Sequence, residues 1–382
     1  MTRKPLHLGI AMTETRRSRR DVLKTLGAVP LAAALPATQA PAPQGGGRQP
    51  GAGQGRGRQA PQVQGVVTPS PTAVPGGKPL LTMYSISLQW ADYDEAADTA
   101  AKAGWPAIGW TARQGGHVLP ENVARDLPKA VVAAKKAGLQ VPIIITPVRD
   151  ADYQYAEAYL DTMSKLGLRY YQAPPLGQYD YTKDLPPQVD VWKSKIEALS
   201  KLNEKYGTTA VYHVEGGAGN IGGGVWDLWL AIKDFDTKYI GMDFDLGHAT
   251  FKGGPEMWES IRFTHRNVLS IASKDIRWAK KTDVAQGPRR SDPSGDWPWT
   301  AEYVVPGTGM VNFKMAFEYM KSTGFAGSFL HYSEYFVNVP GVAEPVSLLR
   351  PMVPTAVPKD LYIASIRRDH EFFTKLMADA GL

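Results

Sequence analysis

Cysteine is absent from all 382 residues, which excludes a disulfide framework, a thiolate metal site and a lipid-modified cysteine anchor. Long apolar runs are missing too. The stretch Leu26–Leu35 is only about half the ~20 residues a membrane-spanning helix needs, and no later stretch approaches that length. Excess positive charge is missing from most of the chain. Residues 1–60 hold ten Lys or Arg against two acids, and the whole chain is +6, so residues 61–382 come out near −2. A near-neutral body gives no basis for nucleic acid or an anionic membrane surface as partner.

What is there begins with Ser18-Arg19-Arg20-Asp21-Val22-Leu23-Lys24, a pattern that predicts a twin-arginine export signal over residues 1–40. The apolar stretch behind it and the small residues Ala37 and Ala40 suit a cleaved leader. Met12 is an alternative start. Residues 41–79 are rich in Gly, Pro and Gln with almost no large apolar side chains, so they cannot offset the entropy of ordering and are expected to form a disordered linker. The expected product is soluble, periplasmic or secreted, with the Tat translocase a partner during export and no stable membrane insertion.

From Leu80 onward short apolar runs alternate with helical patterns. Strands are predicted at Leu81–Leu88, Ala107–Trp110, Val141–Thr146, Tyr170–Ala173, Thr209–Val214, Ile240–Phe244, Val268–Ile271 and Gly327–Leu330. Helical patterns lie between them, such as Tyr93–Ala103, Lys129–Ala137, Tyr153–Leu166 and Val191–Tyr206; several end in Gly, as left-handed C-caps do. Eight strand–helix units over residues 80–382 favour a closed (β/α)8 barrel, a single domain, over an open doubly wound sheet. Gln89-Trp90-Ala91-Asp92 follows the first strand, where a dinucleotide fold would carry a glycine-rich phosphate loop.

In such a barrel the chemistry sits at the C-terminal ends of the strands. Four successive strand ends carry polar residues there: His213-Val214-Glu215, Asp243-Phe244-Asp245 with His248, Ser273-Lys274-Asp275, and His331-Tyr332-Ser333-Glu334. Residues two apart in extended chain share a face. Any single one of these is well explained as a cap, a salt bridge or a hydrogen-bonded core group. Their placement on consecutive strands points to a functional cluster. Imidazole and carboxylate without thiolate form a ligand set suited to Mn, Co, Zn or Mg.

At these residues the chain resembles the xylose isomerase-like TIM barrels, a group of sugar isomerases, epimerases and inosose dehydratases. Asp245-Leu246-Gly247-His248 matches the group's Asp-x-Gly-His after strand six, Lys274-Asp275 its Lys-Asp after strand seven, and Glu334 its terminal-strand glutamate. Tyr212-His213, the segment Trp110–His117 and His331-Tyr332-Ser333-Glu334-Tyr335 resemble an exported, twin-arginine branch. The resemblance implies a divalent metal held by Asp245 and Glu334, with His213 in the place of a usual carboxylate. Ala272 stands where the strand-seven histidine belongs, and Gly109 where an early glutamate does. Either His213, Glu215 or His331 completes a rebuilt site, or no metal binds; the rebuilt set expected is His213, Asp245, Glu334 and His331.

The implied activity is movement of a proton next to a sugar carbonyl. Glu215 and Glu334 are expected to act as acid and base, and Lys274 to stabilise the developing oxyanion. Arg113, Trp110, His117, His248 and Trp278 are expected to bind substrate. The loop from Lys281 to Gly309, on the same side, is expected to form a lid, a wall or an interface. Competing expectations are a lyase or hydrolase acting on 3-keto sugars or glycosides, and a non-catalytic sugar-binding barrel. Barrels of this group often pair, which leaves a homodimer open.

Overall fold

A computed structural model describes residues 69–72, 77–284, 298–349 and 357–382. The expected leader 1–40, most of the linker 41–79, and part of the loop from Lys281 to Gly309 lie outside the described residues. Eight strands form one closed barrel: β1 (Leu80–Tyr84), β2 (Ala107–Thr111), β3 (Ile143–Ile145), β4 (Tyr170–Ala173), β5 (Thr209–His213), β6 (Ile240–Asp245), β7 (Val268–Ser273) and β8 (Ser328–His331). Each pairs in parallel with its neighbours, and β1 closes against β8 through partners such as Leu81 and Phe329. The (β/α)8 expectation is therefore met, and among the described residues no helix is long and apolar enough to cross a membrane.

Alternation along the strands separates two apolar regions. Ile143, Ile145, Val211, Leu269, Ala272 and Leu330 pack together inside the barrel, with Tyr84 and Tyr332 above them. The other parity, including Met83, Ile108, Trp110, Ile144, Tyr171, Phe244 and Phe329, packs outward with the helices. Gly109 belongs to the inner set, where a Cβ would come within 2.9 Å of Leu330 Cδ1. At that level the barrel is filled with hydrocarbon and leaves no place for the glutamate usual there.

Between β6 and β7 the register shifts: Met242 partners Val268, but Asp243 partners Ser270, skipping Leu269. One extra residue on one strand is a β-bulge, and it reverses the parity of everything beyond it. Past the bulge Ala272 faces in with Val211 and Leu330, whereas Ser273 meets the outward-facing His331. Lys274, one step on, is turned back towards the mouth.

The helices differ from expectation where proline or capping chemistry intervenes. α1 (Tyr93–Lys102) is capped by Asp92, whose side chain accepts from Glu95 N. α2 (Val123–Lys136) starts earlier than the predicted Lys129 and carries Pro128 inside it, giving up one backbone hydrogen bond. α3 (Ala156–Lys165) is shorter than its pattern, while α4 (Leu185–Tyr206) starts six residues earlier than expected because prolines in its first turn suit a helix start. It stops at Gly207, whose φ of 67° is left-handed. α5 (Val225–Ile232), the unforeseen α6 (Leu246–Gly253), α7 (Met257–Phe263), α8 (Phe313–Thr323) and α9 (Lys359–Asp379) complete the described helices. Strand three is shorter than predicted, beginning after Pro142, which has no N–H to donate. The sequence from Lys281 onward is not all loop: Trp299–Val304 pairs antiparallel with Asp275–Lys280.

Candidate active site

Above the apolar floor, the next inward positions on successive strands are polar: Gln172 on β4, His213 on β5, Asp243 and Asp245 on β6. Glu215, Lys274 and Glu334 follow on the turns beyond β5, β7 and β8. Together with Tyr84, Arg113, Tyr303 and Tyr332, several of these line a cavity of about 430 Å³ at the C-terminal end of the barrel.

The two histidines are each tied by Nδ1. His213 Nδ1 donates to Asp243 Oδ2 at 2.7 Å, and Gln172 Nε2 donates to the same oxygen at 2.6 Å. His248 Nδ1 donates to the Val214 carbonyl at 2.8 Å. Such bonds leave Nε2 with its lone pair facing the site. α6 places His248: it starts at Asp245, whose Oδ1 accepts from His248 N at 2.8 Å. The same carboxylate thus caps the helix through one oxygen and faces the cavity side through the other. That second oxygen, Oδ2, is buried and accepts no well-directed hydrogen bond, although Lys274 Nζ is 3.1 Å away. His213, Asp245 and His248 converge closely enough to share one ion: each offers a ligand atom, all within 4.8 Å of one another, and His213 Nε2 lies 3.6 Å from Asp245 Oδ2.

Lys274 is the central cation. Its ammonium lies 3.1 Å from Asp245 Oδ2, 3.3 Å from Glu334 Oε2 and 3.2 Å from His248 Nε2, over the Tyr332 ring at 4.2 Å. Burial alone would lower its pKa, but Asp245 and Glu334 raise it above the ordinary lysine value, so it is charged. Glu215 is pushed up by burial, but His248, His213 and Lys274 together hold its carboxyl down at about 2. Burial also lowers the pKa of His248; at His213 the Asp243 carboxylate overcomes burial and raises it. Tyr303 Oη reaches His248 Nε2 at 3.4 Å from the antiparallel hairpin.

The structure gathers Glu215, Glu334, Lys274, Arg113, His213, Asp245 and His248 at the cavity. Arg113 donates to Tyr84 Oη at 3.0 Å on its rim. Four expected residues lie elsewhere. His331 points outward, since it has the parity of Phe329; it is fully buried, 3.1 Å from Asp369 Oδ2 on α9 and stacked on Trp105. It is not a ligand at this site. Trp110 shares the outward parity of β2 and is fully buried against Tyr93 and His117. His117 packs on that indole and bonds the Leu88 carbonyl at 3.1 Å, so neither lines the cavity. Trp278, on the first strand of the hairpin, stacks on Phe251 with ring centroids 4.2 Å apart, also away from the lining. His248, expected only to bind substrate, is instead one of the three convergent ligand atoms, and Glu334 stands off from them across Lys274. Gln172, Tyr84, Tyr303 and Tyr332 also line the cavity and had no expected role. Gln172 left a signal in the sequence as a polar residue inside an otherwise apolar strand, and Tyr332 as part of the His331–Glu334 run.

A family model described as xylose isomerase-like TIM barrel matches residues 91–351. The chain is 26% identical over 158 residues to an inosose dehydratase of Geobacillus thermodenitrificans, covering 40% of this chain and 50% of that protein. It spans about half the length of the curated relatives it matches. Among solved structures, an L-ribulose 3-epimerase superposes with a TM-score of 0.54 at 14% identity, over 79% of this chain and 96% of that one. An IOLI protein with a bound zinc atom gives 0.52 at 14%, over 78% and 97%. Those two likenesses concern the fold.

Proposed function

The chain belongs to the xylose isomerase-like TIM-barrel family, and from that premise we propose that it moves a proton next to a sugar carbonyl, as a carbohydrate isomerase or epimerase. One observation carries this. Glu215 and Glu334 come from the ends of strands separated by two others, yet they line one cavity with His248 and Lys274 between them. Removing a proton from one carbon and returning it from the opposite face calls for two such groups, and returning it to a neighbouring carbon can use either. Glu215 is ionised at neutral pH, the state a base requires. Lys274 faces the space where negative charge on a carbonyl oxygen would develop. Arg113 at the rim suits a hydroxyl pair.

The site fits a divalent ion on the chemistry of its donors. Asp245 Oδ2 is buried and short of a hydrogen bond, and both imidazoles have Nδ1 engaged. His213, Asp245 and His248 would hold the ion, which would polarise neighbouring sugar oxygens.

The relative named inosose dehydratase favours a second reading. The same proton removal followed by loss of a β-substituent would make the chain a lyase on 3-keto sugars or glycosides.

The test is deuterium exchange. Protein incubated in D2O with ketoses and 3-keto glycosides, with Mn, Co, Zn or Mg in turn and with chelator, should wash deuterium into the carbon beside the carbonyl. Glu215→Gln and Glu334→Gln should each slow this by about 100-fold or more. Appearance of an unsaturated product would select the lyase. No exchange with any substrate, or exchange indifferent to both substitutions, sinks the proposal.

The Arg19-Arg20 motif supports a further part of the proposal, that the chain leaves the cytoplasm by the twin-arginine route and meets glycosides outside it.

A further inference from the structure

An ion held by Asp245 and His248 and the ammonium of Lys274 would compete for the same two residues. We propose that Lys274 is a resident cation of the site and sets its metal affinity, so that a divalent ion enters only by displacing the ammonium or against its repulsion. This rests on the metal-binding reading above.

Three observations carry it. The ammonium touches Asp245 Oδ2 at 3.1 Å and His248 Nε2 at 3.2 Å, atoms of two of the three residues that would hold the ion. An ion bonded to Asp245 Oδ2 at about 2 Å would therefore lie no more than about 5 Å from Nζ. A divalent and a monovalent cation at that separation, at an effective dielectric of 20, repel enough to weaken binding by roughly a thousandfold or more if nothing moves.

Next, the lysine is held in place. Its side chain is 3% exposed, and its stem lies against the backbone of Gly247, where a Cβ would come within 2.5 Å of Lys274 Cγ. The glycine of the Asp-x-Gly-His segment thus makes room for the lysine stem. Tyr332 lies under the ammonium, so the side chain has little freedom to swing clear.

Finally, β7 supplies no ligand. Ala272 is its last inward residue, and the next inward position carries an ammonium. Where a further imidazole or carboxylate would strengthen an ion site, this strand adds positive charge. Without an ion, that charge offsets part of the negative charge of Asp245 and Glu334.

The test is metal binding by chelator-stripped parent, Lys274→Met, Lys274→Gln and Lys274→Arg, titrated calorimetrically with Zn and Mn. The neutral variants should bind at least tenfold more tightly than the parent, and the arginine variant like the parent. Thermal melts give a second readout: stripped neutral variants should melt below the parent and gain more on adding metal than the parent does. Should Lys274→Met not fold, Lys274→Gln keeps an N–H donor for both carboxylates and carries the comparison. Equal or weaker binding by the neutral variants, or no detectable binding by any of the proteins, overturns the proposal. Deuterium exchange by the parent separates the two readings: exchange with unaltered metal affinity sinks the role of Lys274 alone, and absence of exchange sinks the proton-transfer reading alone.

Discussion

His331→Ala should destabilise the barrel without touching its ligand set. His331 is fully buried, bonded to Asp369 Oδ2 at 3.1 Å and to Ser273 Oγ at 3.2 Å, and lies parallel to the Trp105 ring with centroids 5.5 Å apart. Truncation leaves a void beside Trp105 and Phe373, and takes one donor from a carboxylate that still has Tyr335 Oη at 2.6 Å. A lost buried imidazole and a weakened buried carboxylate network together cost about 3 kcal/mol. For a domain of this size that is a fall in melting temperature of roughly 6–10 °C. His331→Gln can still donate to Asp369 and should lose about half as much. The assay is calorimetric melting beside metal titration, with Asp245→Asn as the contrast: Asp245→Asn should lose metal binding, whereas both His331 variants should keep the parent's affinity. Metal binding lost in His331→Ala at unchanged stability would refute the outward placement and restore His331 as a ligand.

Acid should weaken the fold through His117. Burial lowers its pKa from 6.5 to about 4, and Nδ1 is buried without a hydrogen bond, so a proton there finds no acceptor. A depressed folded pKa means full stability above pH 6.5 that is lost as pH falls towards 4, about 3 kcal/mol at pH 4 from this group. Parent and His117→Gln melting curves from pH 7.5 to 4 should therefore converge as pH falls; parallel curves would exclude His117 as the cause. Export is checked with Arg19→Lys, Arg20→Lys: the double variant should stay in the cytoplasmic fraction while the parent is exported and shortened, and export of both would exclude the twin-arginine route.

Most of the barrel was legible because its strands announce themselves. Isolated β-branched and aromatic runs recur eight times, some set off from the preceding helix by a glycine such as Gly207 or Gly324, and a short buried strand has few other meanings in that rhythm. What escaped depends on contacts the local pattern does not contain. α6 is eight residues long and begins on a site carboxylate, so its start reads in sequence as a strand end. The hairpin from Asp275 pairs with a segment some twenty residues on, across a stretch rich in Pro and Gly. Pro128 sits within α2 because the packed face on both sides of it outweighs one missing backbone bond.

The site was legible to the extent that strand parity could be counted. Once His213 is known to face in, Glu215 follows; Asp243 gives Asp245, and Tyr332 gives Glu334, each two residues on. His331 failed the same arithmetic: it is one residue from Tyr332, so the two cannot share a face, and Tyr332 is the one over which Lys274 lies. For β7 counting alone misleads. Val268 partners Met242 of the outward set, which without the bulge would put Ala272 outward and Lys274 with it. The skipped Leu269 reverses that, and one extra residue, invisible as a signal in sequence, decides whether this barrel holds a cation of its own at its mouth.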